Sequence, residues 1–215
     1  MPEVFIYDDI GPDWLGMVSA KYVQSELDKH KGKDVTIRLN SPGGDVFEGQ
    51  AIYNAIRRHG NKITVEIDAL AASAASYIAM AGDEIRIAEN AMVMIHNAWT
   101  FTIGDKREHE KRIDLLDKID ETILNTYMAR NGGKATQEQV KQWMDDETWM
   151  TAKTAVERGF ADSIGQPLNV SACLKAGRYN NTPQAMISNM PTEREKFRDS
   201  RIAQAKFQNR LTNIR

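Results

Sequence analysis

Ile67-Asp68-Ala69-Leu70-Ala71-Ala72-Ser73-Ala74-Ala75-Ser76 joins two different local patterns. Ahead of it, residues 62–67 alternate polar and apolar side chains, with β-branched residues on the apolar positions, which predicts a strand. Behind it, residues 73–81 are mostly alanine and other good helix formers, which predicts a helix. Ser73 falls at the junction. The first N–H groups of a helix have no intrahelical partner, and alanine neighbours let another backbone approach closely. A serine so placed suits acyl transfer, with helix N–H groups stabilising an oxyanion. The segment by itself fits equally well a small serine packed between helices.

Two further segments bear on that choice. Asn40-Ser41-Pro42-Gly43-Gly44-Asp45 ends an apolar strand at residues 35–39 and precedes a helical pattern at residues 46–59. Its glycines free the backbone to turn and expose N–H groups, although Pro-Gly-Gly is also an ordinary tight turn. No Lys-Ser or Lys-Thr follows, so this is not a phosphate-binding loop. Met92-Val93-Met94-Ile95-His96-Asn97 is a short apolar strand that delivers a histidine at its end, either to a site or to a half-buried structural position.

Strands are predicted at residues 4–7, 35–39, 62–67, 84–88 and 92–95, and helices at 14–30, 46–59 and 73–81. This alternation predicts an α/β fold with a mostly parallel sheet. The strand ends at Asn40, Asp68 and His96 are then expected at one sheet edge, where open α/β sheets bind ligands. From residue 105 to 130, Ile113, Leu116, Ile119, Ile123 and Tyr127 recur every three or four positions in a charged background, which predicts one long helix.

Ser41-Pro42-Gly43-Gly44, Ala71-Ala72-Ser73-Ala74-Ala75 and Met94-Ile95-His96, in that order, resemble the proteolytic subunit of the Clp protease, a serine peptidase. The likeness runs from about residue 4 to 164. It implies the spiral fold shared with the crotonases, with the long helix as a handle between rings and hence a homo-oligomer. It also implies Ser73 as nucleophile, His96 as general base and acid, and the Gly44 and Ala74 N–H groups as oxyanion hole. Each role suits the chemistry: a hydroxyl needs a base to become nucleophilic, and a tetrahedral intermediate needs donors already in place.

The family usually has aspartate as third triad member, two residues before an aromatic. Here that position is Glu147, two before Trp149, with Asp145 and Asp146 ahead of it. A glutamate can also orient a histidine. Glu147 is the expected acid and Asp146 the alternate, with a surface acidic cluster as the third possibility. Residues flanking the motifs, Gly43, Asp45, Val46, Ala98 and Trp99, are the expected substrate-binding positions. Ser76, one turn after Ser73, is a rival nucleophile, whereas Cys173 has no accompanying histidine motif.

The 215 residues are 41% hydrophobic and 27% charged, enough for one sizeable core. No apolar run is long enough to span a membrane, no signal peptide is evident, and a single cysteine excludes an intrachain disulfide. A cytoplasmic enzyme without metal or organic cofactor is expected. Residues 1–168 form the expected peptidase domain. Residues 169–215 form a linker and a basic tail, and from 171 onward carry nine Lys or Arg against three Asp or Glu. Thr192-Glu193-Arg194-Glu195 has the form of a capping box, predicting a helix to about residue 211. Nucleic-acid binding is not expected, because no recognition motif accompanies the charge.

The short lead before the first strand, the Glu147-Thr148-Trp149 segment and the basic tail are similar to the Clp-related head maturation proteases of tailed phages. That likeness implies ATP-independent processing of scaffold or capsid precursor in a prohead, with action either in the host cytoplasm or inside the prohead. Three alternatives stand beside it: a peptidase subunit fed by an ATPase, an acyl-CoA enzyme of the crotonase fold, and a non-catalytic assembly protein.

Overall fold

The computed structural model describes residues 1–170, Leu174, residues 178–183 and Met186. The chain divides into two compact units, Met1–Ala172 and Cys173–Arg215. In the second, the Leu174 N–H donates to the Met186 carbonyl at 2.9 Å. Cys173 and the helix expected after residue 191 lie outside the described residues.

The first unit is built on a mixed sheet. Its strands are β1 (Glu3–Tyr7), β2 (Val35–Ser41), β3 (Ile63–Ala72), β4 (Glu84–Ala88), β5 (Met92–Ile95), β6 (Thr148–Thr151) and β7 (Ser163–Gly165). Strands β1, β2, β3, β4 and β7 lie side by side in that order, all parallel. The long β3 changes neighbours along its length. It pairs with β4 over Thr64–Ile67 and then with β5 over Leu70–Ala72. Among the described residues, one antiparallel strand pairing occurs, and it brings β6 against β5. This exchange carries the sheet around from the Ser73 segment to the Glu147 segment.

Helices α1 (Ala20–Asp28), α2 (Val46–Arg57) and α3 (Ala74–Ala79) alternate with the strands. One hydrophobic cluster joins Val4, Ile37, Val65 and Ile85 of the sheet to Val23, Ile52 and Ile78 of these helices. Burying each such side chain contributes about 1.5–3 kcal/mol, so every second strand residue is committed to this face. Helices α5 (Gln137–Asp145) and α6 (Ala152–Glu157) flank β6. Thr136 caps α5 through a reciprocal capping box with Gln139.

Helix α4 (Lys106–Arg130) is the long helix expected from periodicity. Asp105 caps it, its carboxylate accepting from the Arg107 and Glu108 N–H groups. Only its second half is packed: Ile119, Ile123, Leu124 and Tyr127 are buried, whereas residues 106–114 are all exposed.

Two expectations are corrected. The helix expected over residues 14–30 begins only at Ala20, with Ser19 as its cap. Before it, Asp13–Leu15 forms a single 3-10 turn closed by Gly16 in the left-handed region, and Val18 bridges back to Ile10. Secondly, Asp68 does not mark a strand end. Strand β3 continues to Ala72 because the fully buried Asp68 carboxylate is paired, with Arg38 Nη2 2.6 Å from Oδ1. The Tyr7 hydroxyl also donates to Asp68, and burial together with that bond pushes the phenol up to about 12.

Arg38 also holds Glu66 Oε2 through Nη1 at 2.5 Å, so removing Asp68 weakens, rather than abolishes, the compensation of a largely buried guanidinium. Asp68→Ala is therefore expected to lower stability by on the order of 2 kcal/mol, through the lost bonds of its carboxylate with Arg38 and the Tyr7 hydroxyl. Urea unfolding checks this through the shift in midpoint.

Candidate active site

Ser73 stands between β3 and α3 with φ 55° and ψ −125°, a conformation that side chains other than glycine rarely adopt. Such strain persists only where the surroundings hold it. The Ser73 N–H donates to the Met94 carbonyl at 2.9 Å. Its own carbonyl accepts from the Ser76 N–H at 2.9 Å, the Tyr77 N–H at 3.3 Å and Ser76 Oγ at 2.6 Å. The elbow presents the side chain outward, and Ser73 Oγ lies 2.7 Å from His96 Nε2. His96 follows directly after β5, half-buried. Ser76, the rival nucleophile, is fully buried and bonded to Ser73 and Tyr127, so no substrate reaches it.

The glycine loop lies against this elbow. Gly43 has φ 84°, and a Cβ there would stand 2.5 Å from the Ala72 carbonyl and 2.8 Å from Ser73 Cβ. Gly44, at φ 155°, is held from the other side, since its Cβ would meet the Ile10 carbonyl at 2.0 Å. Ile10 brackets the loop, donating to the Gly43 carbonyl at 3.0 Å and accepting from the Asp45 N–H at 2.9 Å. Among the described residues, no hydrogen bond engages the N–H of Gly44 or of Ala74, the first residue of α3. Two donors are thus available beside Ser73, as an oxyanion requires.

Gly44→Ala is accordingly expected to lower kcat for peptide hydrolysis by about 10²- to 10³-fold, because the loop must shift to admit the methyl group and takes one donor with it. Steady-state kinetics check the loss, with circular dichroism showing that the fold persists.

The three acidic candidates part company. Asp145 accepts from Asn97 Nδ2 at 2.7 Å, and Asp146 from Gln142 Nε2 at 2.9 Å on the exposed end of α5. Glu147 is 8% exposed and has φ 49°, a second strained backbone beside the first. The β5–β6 ladder pairs Ile95 with Thr148, and continuing its register by one residue puts His96 opposite Glu147. Trp149 Nε1 donates to Glu147 Oε1 at 3.4 Å.

The remaining expected positions flank the glycine loop and the histidine strand in sequence. Asp45 caps α2, its Oδ1 accepting from Phe47 and Glu48 N–H at 2.9 Å each. Val46 packs on the core, and Trp99 is 71% exposed. The Ala98 N–H donates to Asp120 Oδ1 at 2.6 Å. Sequence reasoning missed Asp120, which reads as one more charge on a polar helix. Burial holds its carboxyl above the usual range against the opposing Ala98 bond, and the charges of Asp117 and Asp145 add to the rise.

A model of the Clp protease family matches residues 3–167. The chain belongs to the Clp protease family. Similar proteins include an ATP-dependent Clp protease proteolytic subunit of Porphyromonas gingivalis, 32% identical over 68% of this chain and 68% of that one. A proteolytic subunit of the same name from Chara vulgaris is 31% identical over 74% of this chain and 71% of its own. A proteolytic subunit 2 from Tropheryma whipplei is 28% identical over 75% and 89%. Membership makes the chain a serine peptidase of the Clp type. Among the described residues, no helix is long and apolar enough to cross a membrane, and no cluster of His, Cys, Asp or Glu has the makings of a metal site.

Proposed function

We propose that this chain is an endopeptidase in which Ser73 attacks the scissile carbonyl and His96 takes its proton and returns it to the leaving amine. Glu147 orients the imidazole, and the Gly44 and Ala74 N–H groups hold the oxyanion. The observation that carries this reading is the 2.7 Å contact between Ser73 Oγ and His96 Nε2 on a strained elbow. Water then attacks the acyl-enzyme through the same histidine, so the cycle needs no cofactor. Residues 1–168 carry the peptidase, and 169–215 serve as an appended segment. Self-association uses the exposed half of α4 and the apolar Trp99, Phe101 and Ile103 before it, each more than 70% exposed.

The names of the relatives favour a proteolytic subunit that works with an ATPase. The Glu147-Thr148-Trp149 segment and the basic tail support the second reading, a head maturation protease cutting scaffold or capsid precursor. The purified chain is expected to cleave short fluorogenic peptides without nucleotide, with Ser73→Ala slower by orders of magnitude. A folded substrate consumed only when an ATPase and ATP are added would establish the first role. Nucleotide-independent cleavage of a capsid precursor would establish the second.

A further inference from the structure

Helix α4 bonds to residues close in sequence to each half of the reacting pair, Ala98 after His96 and Ser76 after Ser73. Asp120 and Tyr127 are seven residues apart, two turns along one face of the helix and about 10 Å apart along its axis. Asp120 accepts the Ala98 N–H, two residues beyond His96. Tyr127, 1% exposed, bonds through its hydroxyl to Ser76 Oγ at 2.8 Å. The single Ser76 proton goes to the Ser73 carbonyl, so Tyr127 is the donor to Ser76. The chain of bonds therefore ends on the strained backbone of the nucleophile. Asn97, between His96 and Ala98, is held separately by Asp145.

We infer that Asp120 and Tyr127 are positioning residues that set the alignment of Ser73 with His96 from one face of α4, Asp120 fixing the histidine segment and Tyr127 the serine elbow. This rests on the reading of Ser73 and His96 as the reacting pair. A role in stability alone fits Asp120 poorly. Its carboxyl is raised by burial and by neighbouring acids, so ionisation favours the unfolded chain. The stability it contributes is that of the protonated form, present at low pH and lost as pH rises through the folded-state value. Asparagine keeps the acceptor for Ala98 without that penalty, and a displacement of an ångström between reacting groups suffices to slow a reaction about a hundredfold.

The test compares Asp120→Leu, Asp120→Asn and Tyr127→Phe with wild type. The rate of Ser73 labelling by a small fluorophosphonate reports serine activation without a peptide subsite. Leucine at 120 is expected to slow labelling tenfold or more, while asparagine stays within threefold of wild type. Phenylalanine at 127 keeps the ring contact with Phe160 and removes only the hydroxyl, and is expected to slow labelling at least threefold. Wild-type labelling in Asp120→Leu or Tyr127→Phe overturns the proposal, as does Asp120→Asn slowed as much as leucine. Should leucine prevent folding, the other two variants decide by the same criteria. Amide exchange across residues 96–104, read by mass spectrometry, is independent of activity: it should quicken in Asp120→Leu. Unchanged exchange there overturns the clamp, even if wild type itself proves unreactive and the peptidase reading fails.

Discussion

Ser73→Ala lowers kcat for peptide hydrolysis by about 10⁴- to 10⁶-fold while leaving the fold in place. The size of the effect follows from the site. Ser73 Oγ is the atom poised against His96, and the buried Ser76 cannot replace it. The oxyanion donors remain, so a residual rate above that in water survives. Stability should change little, because removing one partly exposed hydroxyl leaves the bonds of the Ser73 backbone to Met94, Ser76 and Tyr77 intact. Steady-state kinetics beside urea unfolding check both halves: a large loss of rate with a shared unfolding midpoint.

Glu147→Gln is the second large effect, a fall in kcat of about 10⁴-fold, whereas Asp146→Asn stays near wild type. An amide opposite the histidine favours the wrong imidazole tautomer and cannot stabilise the imidazolium that forms in the transition state. Glu147 is buried, strained and in register with His96, whereas Asp146 is exposed and bonded to Gln142 along its own helix. Parallel kinetics on the two variants check this. A fully active Glu147→Gln would remove that residue from the triad and return the assignment to its neighbours.

Much of this was legible before any coordinates. The strand at residues 84–88 and the course of α4 follow from alternation and periodicity, because burial of one face leaves a regular mark on the sequence. The three ordered motifs likewise announce the elbow, the glycine loop and the histidine. What escaped was set by tertiary contacts. Residues 13–18 have helix-compatible composition but are held by Gly16 and by the bridge of Val18 to Ile10. Strand β3 passes straight through Asp68 because Arg38, thirty residues earlier, neutralises it. Asp120 looks like solvent-facing charge until the histidine segment is laid beside it. Glu147 is marked in the sequence only by its place two residues before Trp149, and its left-handed backbone leaves no trace in residue type, since glycine or asparagine is the usual occupant of that conformation.

The most direct measurement is fluorophosphonate labelling of the purified chain, with the modified peptide mapped by mass spectrometry and Ser73→Ala beside it. A single adduct on Ser73, lost in the variant, is the predicted result and would establish an activated nucleophile at the β3–α3 elbow. An adduct on Ser76, or none on a folded wild-type protein, would contradict the account.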